Sequence, residues 1–124
     1  MTPVRHQLSR RKGWRLPANT TKVSRPGKYG NPFVVDTECA LLHVGKVRDR
    51  AHAVALHAAK AAADSQFLEQ VRTELKGRNL ACWCHLCDAH RHTGKPFDVA
   101  CSECLPCHAD TLGRIANYIT CEAV

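Results

Sequence analysis

Six of the chain's eight cysteines fall between positions 82 and 107, in the run CWCHLCDAHRHTGKPFDVACSECLPCH that ends at His108. A segment this rich in thiols and imidazoles, and this poor in apolar residues, has little with which to fold itself. A bound metal supplies that stability, because soft thiolates close a tetrahedral zinc site and the binding free energy becomes folding free energy. Within the run, Cys84-x2-Cys87 and Cys101-x2-Cys104 form two knuckles separated by thirteen residues, the spacing of a four-cysteine zinc site. The expected ligands are therefore Cys84, Cys87, Cys101 and Cys104, with His90, His92 and Cys107 as alternatives in a mixed site. Cys82 shares a strand face with Cys84 and reads as a core thiol beneath the site. Cys39 and Cys121 stand alone and read as core packing.

Metal binding is the better explanation of these thiols only in a reducing compartment. No apolar run approaches a membrane span of ~20 residues, and the N-terminus has no continuous hydrophobic signal segment. The expected location is the cytoplasm, with no membrane partner.

At 124 residues the chain is long enough for one modest core. Its formal charge of +7 predicts anionic partners, phosphate foremost. The excess is concentrated, since Arg5, Arg10, Arg11, Lys12, Arg15, Lys22, Arg25 and Lys28 all precede the first acidic residue, Asp36. Residues 1–12 read as a basic arm that binds nucleic acid or simply faces solvent, and residues 13–124 as one domain carrying a cysteine-rich zinc loop over 84–107.

Thr21 to Arg25 and Phe33 to Val35 read as short strands, and Asn79 to Trp83 as a buried one. Val47, Ala51, Val54, Ala55, Ala58 and Ala62 recur at helical spacing. A second helix fits Gln66 to Lys76, capped by Ser65 and stopped by Gly77. Leu112, Ile115, Ala116 and Ile119 mark a closing helix that starts near Cys107 to Thr111. Alternating strands and helices predict a small single-domain α/β sheet flanked by helices, with the zinc loop as an insertion and ligands at strand ends and helix starts.

Two short motifs carry candidate chemistry. RPGKYGNPF, Arg25 to Phe33, is a stiff, basic loop in which Gly27 and Gly30 admit positive φ and close backbone approach, Pro26 and Pro32 restrict the turn, and Arg25 and Asn31 can hold a phosphate or sugar. A plain Gly/Pro turn whose cations face water uses the same residue types. CHAD, Cys107 to Asp110, opens the last helix; Asp110 can cap it, or His108 and Asp110 can face a pocket as a catalytic pair. His108 can equally ligate metal. No Walker or GxGxxG fingerprint is present.

Gly13-Trp14-Arg15, Arg25-Pro26, Gly30-Asn31-Pro32-Phe33, Leu80-Ala81-Cys82-Trp83-Cys84 and Cys107-His108-Ala109-Asp110, in that order, resemble a family of small bacterial and phage proteins known as domain of unknown function 4326. The likeness runs from about Lys12 to Tyr118 and implies no particular activity. Members usually pass from the CWC element to the CHAD element by a short link, where this chain inserts Cys87, Cys101 and Cys104. The resemblance thus implies that Cys82, Cys84, Cys107 and His108 belong to a shared site and the other three to an added zinc loop, with Cys84 able to serve either.

Two functions follow. One is a zinc-stabilised protein that binds a nucleotide or other phosphate-bearing small molecule through Arg15, Arg25 and Asn31 and hydrolyses or transfers at its sugar or base with His108 and Asp110. The other is a non-catalytic, zinc-containing nucleic-acid module, in which the arm wraps phosphate and Trp14 stacks.

Overall fold

A computed structural model of the protein describes residues 3–25, 27–35, 38–39 and 45–118. Pro26, Ile119 and Cys121, and the side chain of Cys39, lie outside the described residues.

The sheet has four strands in the order β2 (Thr20–Lys22), β5 (Asn79–Cys82), β1 (Val4–Gln7), β6 (Lys95–Pro96). β1 and β2 both run parallel to β5, and β6 closes the far edge antiparallel to β1. A separate pair, β3 (Glu38–Cys39) and β4 (Gly45–Lys46), forms a two-stranded ribbon. The expected mixed α/β sheet flanked by helices is present. The expected strand at Phe33 to Val35 is not: that stretch is loop, with Phe33 buried and Val34 and Val35 exposed.

The N-terminal residues correct the reading of residues 1–12 as an arm. Val4 to Gln7 is an interior strand, in register with Leu80 to Cys82 through Arg5, His6 and Gln7. VRHQ lacks the apolar alternation of a buried strand, yet Arg5 is fully buried. Its two terminal nitrogens are paired across the fold: Nη1 meets Asp110 at 2.8 Å, and Nη2 donates to the carbonyls of Cys84 and Leu105, while the buried Nε has no partner among the described residues. Only Arg10, Arg11 and Lys12 remain as an exposed cationic run beyond the sheet.

The helices form where apolar spacing and capping coincide. In α1 (Arg50–Ala62) the Asp49 carboxylate accepts from the His52 amide, and Ala53, Leu56, His57 and Ala61 face inward. In α2 (Ser65–Leu75) the cap is Asp64, one residue before the expected Ser65, and Gly77 takes the left-handed conformation after the helix. α3 (Asp88–Thr93) lies inside the cysteine-rich segment. α4 (His108–Asn117) buries His108, Ala109, Asp110, Leu112, Gly113 and Ala116. Cys107 is its N-cap, its sulfur accepting from the Ala109 amide, so Asp110 does not cap the helix.

The main core joins β5, α2 and α4 through Val71, Leu75, Leu80, Phe97 and Leu112, together with Val23 and Tyr29. Gly113 is fixed by this packing, because any Cβ there would enter the ring of Phe97. A smaller cluster of Phe33, Val47, Ala53 and Leu56 holds the loop after β2 against α1.

Candidate functional site

The RPGKYGNPF loop is anchored by its aromatic residues. Tyr29 enters the main core and Phe33 the smaller one. Between them the Asn31 amide is committed at both ends, its Nδ2 donating to Ala53 O at 3.0 Å and its Oδ1 accepting from the Phe33 amide at 2.9 Å. Asn31 therefore braces the loop on α1. Gly30 is required by proximity, since a Cβ would come within 2.9 Å of Arg25 Cα. Neither Gly27 nor Gly30 takes a positive φ, contrary to the expectation for this turn.

Folded this way, the loop leaves Arg25 between two adjoining clefts. The first, about 380 Å³, lies between the loop and α1 and is lined by Arg25, Lys28, His57, Lys60, Asp64 and Phe67. The second, about 370 Å³, is lined by Arg25, Arg50, Trp83, His108 and the thiols of Cys82, Cys84 and Cys107. Both share Arg25 and Asn31. The imidazoles of His57 and His108 meet at 5.3 Å between the two spaces.

The charged groups around Arg25 are mostly cationic, with Asp64 on the wall of the first cleft and Cys84 on that of the second. Arg25 is exposed and has no hydrogen bond or ion pair among the described residues. Lys28, by contrast, is taken by Glu74 at 2.6 Å. His57 is only 4% exposed and its Nδ1 has no partner among the described residues. Burial, reinforced by His108 and Lys60, pushes its pKa down to about 4, so the ring is neutral at neutral pH. His108 is likewise lowered by burial. Its Nε2 is 2.6 Å from Val23 O, and a carbonyl only accepts, so the proton sits on Nε2 and Nδ1 keeps its lone pair. Trp83 is 46% exposed at the rim, with the Arg10 guanidinium 4.9 Å from its ring centroid.

The residues expected to act together are divided by this geometry. Arg25, Asn31 and His108 border one cleft. Asp110 does not line that cleft; its carboxylate is bonded to Arg5 at 2.8 Å and Lys95 at 3.1 Å and neutralises these buried cations. His108 and Asp110 are neighbours on α4, but a separation of two positions turns them to different sides of the helix. Arg15 is exposed and lines neither cleft.

Two groups of side chains have the composition and closeness to hold a metal ion. In the first, the ligand atoms of Cys87, His90, Cys101 and Cys104 all lie within 4.8 Å of one another. His90 Nδ1 is 3.3 Å from Cys87 Sγ and 3.4 Å from Cys104 Sγ, while the Cys87 amide donates to Cys104 Sγ at 3.3 Å. The expected set had Cys84 where His90 stands. Cys87 is the N-cap of α3, and the helix brings His90 back beside it, so in this group Cys87-x2-His90 stands where the sequence spacing puts Cys84-x2-Cys87. Cys84 continues the face of β5 that carries Cys82 and points toward α4 instead.

There it joins the second group, Cys82, Cys84 and Cys107, also within 4.8 Å of one another. Cys107 Sγ donates to Cys82 Sγ at 3.0 Å, and Arg50 Nη1 donates to Cys84 Sγ at 3.3 Å. Hydrogen bonds from Cys107 and Cys82, aided by the charges of Arg5 and Arg50, hold the Cys84 thiol far below its ordinary value. Cys107 is raised by its bonds to Cys82 and Cys84 and by burial. Cys82, whose position on the strand reads as core packing and which the family resemblance groups with Cys84 and Cys107, lies beside both in a cluster that could hold a metal ion.

With strand, loop and helix start assembled around these thiols, the chain is an α/β protein with two clusters able to bind metal. It belongs to the family described as "Domain of unknown function (DUF4326)", which matches residues 6–118. No curated protein and no solved structure matches the chain. Among the described residues, no helix is long and apolar enough to cross a membrane.

Proposed function

We propose that the protein binds a nucleotide or related phosphate-bearing small molecule in the clefts on either side of Arg25, in a fold stabilised by zinc at Cys87, His90, Cys101 and Cys104. The observation that carries this reading is Arg25 itself, a guanidinium without an acidic partner, standing over both spaces on a loop braced by Asn31. A planar fork of donors matches a phosphate bidentately. Arg50 lies in the second cleft and Lys60 in the first, so either space offers a second cation for a polyanion.

Trp83 adds a feature that inorganic phosphate does not need. An indole at the rim, with Arg10 over its ring, is a surface on which a base stacks while its phosphates reach Arg25 and Arg50. Reaction at the sugar or base, by hydrolysis or transfer, takes place beside His108 on the same wall. The nucleic-acid alternative keeps Arg10, Arg11, Lys12 and Trp14, but Val4 to Gln7 are spent in the sheet and cannot wrap a strand.

Fluorescence titration tests the stacking half of this reading. Nucleotides should quench the emission of the zinc-loaded protein, and Trp83→Leu should remove that quenching while Trp14→Leu keeps it. Quenching that survives Trp83→Leu assigns the base to another surface and rejects the placement.

A further inference from the structure

The thiols of Cys82, Cys84 and Cys107 are packed more closely than a hydrophobic core requires. Cys82 and Cys107 are each 1% exposed and sit 3.0 Å apart, and Cys84 completes a triangle with every edge under 4.8 Å. Zinc bound to thiolate at about 2.3 Å places neighbouring sulfurs about 3.8 Å apart in a tetrahedron; edges under 4.8 Å are of that scale, and the 3.0 Å edge between Cys82 and Cys107 is shorter and has to open to admit an ion.

The surroundings supply what metal-bound thiolates need. The Ala109 amide at the start of α4 donates to Cys107 Sγ at 3.5 Å, and Arg50 donates to Cys84 Sγ. Three thiolates around a divalent ion leave one net negative charge, and Arg5 and Arg50 are the nearby cations that offset it. His108 flanks the triangle with its Nδ1 3.6 Å from Cys107 Sγ, yet it is not within reach of all three sulfurs. The sulfurs have the core behind them and the cleft of Arg25, Arg50 and Trp83 in front.

We propose that Cys82, Cys84 and Cys107 bind a second divalent ion of the zinc class, whose fourth position opens to the cleft and is filled by an exchangeable ligand. Binding expels the remaining thiol protons to solvent and leaves a Lewis acid on the wall of the cleft. A closed four-ligand site such as that of Cys87, His90, Cys101 and Cys104 has no position for this exchange; a three-thiolate site does. The inference concerns metal content and ligand exchange alone, so it stands or falls separately from nucleotide binding.

Cobalt substitution of the reduced full-length protein tests it, with imidazole as the exchangeable probe. Wild type should take up about two equivalents of metal, and Cys84→Ser about one, with the remaining ion at the closed site. Imidazole should shift the visible absorption of the wild-type cobalt protein and leave that of Cys84→Ser unchanged. A single equivalent in reduced wild type, measured without recourse to any variant, overturns the second site. A wild-type spectrum indifferent to imidazole overturns the open position, and recovery of Cys82 and Cys107 as a disulfide from the reduced, metal-supplied protein overturns both.

Discussion

Arg5 Nη1 and Asp110 Oδ2 meet at 2.8 Å across a sequence separation of 105 residues, tying the first strand to the last helix. Lys95 Nζ reaches the other carboxylate oxygen at 3.1 Å from β6. Three elements thus converge on one buried carboxylate, and the arrangement explains how a strand as polar as VRHQ occupies the sheet interior. Its charge is neutralised where it is buried.

Removing that carboxylate leaves two buried cations unpaired. Asp110→Ala is expected to destabilise the fold by about 3 to 5 kcal/mol, the cost of breaking a buried pair at one side. Urea denaturation of the zinc-loaded protein measures this. Wild-type stability in the variant contradicts the structural role given to Asp110.

The metal assignment of the inserted segment separates His90 from Cys84. His90→Ala and Cys101→Ser should each release the ion held with Cys87 and Cys104 and open residues 88–100 to proteolysis. Cys84→Ser should keep that ion. Elemental analysis of each variant gives the answer, and the reverse pattern restores the four-cysteine set.

His57 makes the fold sensitive to acid. Its pKa is lowered in the folded state from 6.5 to about 4, so between those values the unfolded chain binds the extra proton. Stability is fully present above about pH 6.5 and declines as pH falls toward 4, by up to about 3 kcal/mol for this group. His57→Gln cannot titrate and should flatten that part of the profile. Parallel wild-type and variant profiles from urea midpoints across this window contradict the assignment.

What was legible in the sequence follows from how local each signal is. α1, α2 and α4 announce themselves by apolar spacing and by caps within a turn of their ends, and β5 by the apolar run around Leu80. β1 does not, because the partner of Arg5 is visible only in three dimensions. β6 is two residues long, too short for any pattern to register. The cysteine spacing correctly placed Cys87, Cys101 and Cys104 together. It misplaced Cys84 because the choice between His90 and Cys84 is made by α3, a six-residue helix without apolar periodicity. The surroundings of Asp110 were hidden for a related reason, since proximity to His108 on α4 gave no sign that Arg5 and Lys95 claim the carboxylate.

Arg25 carries the proposed function, and calorimetric titration of the metal-loaded protein with a panel of nucleotides and nucleosides tests it most directly. Wild type should bind nucleotides more tightly than the corresponding nucleosides. Arg25→Ala should weaken nucleotide binding by about 1.5 to 3 kcal/mol, the range for hydrogen bonds to charged groups, with zinc content unchanged. No heat from any nucleotide with the intact protein, or equal affinity in wild type and Arg25→Ala, contradicts the account.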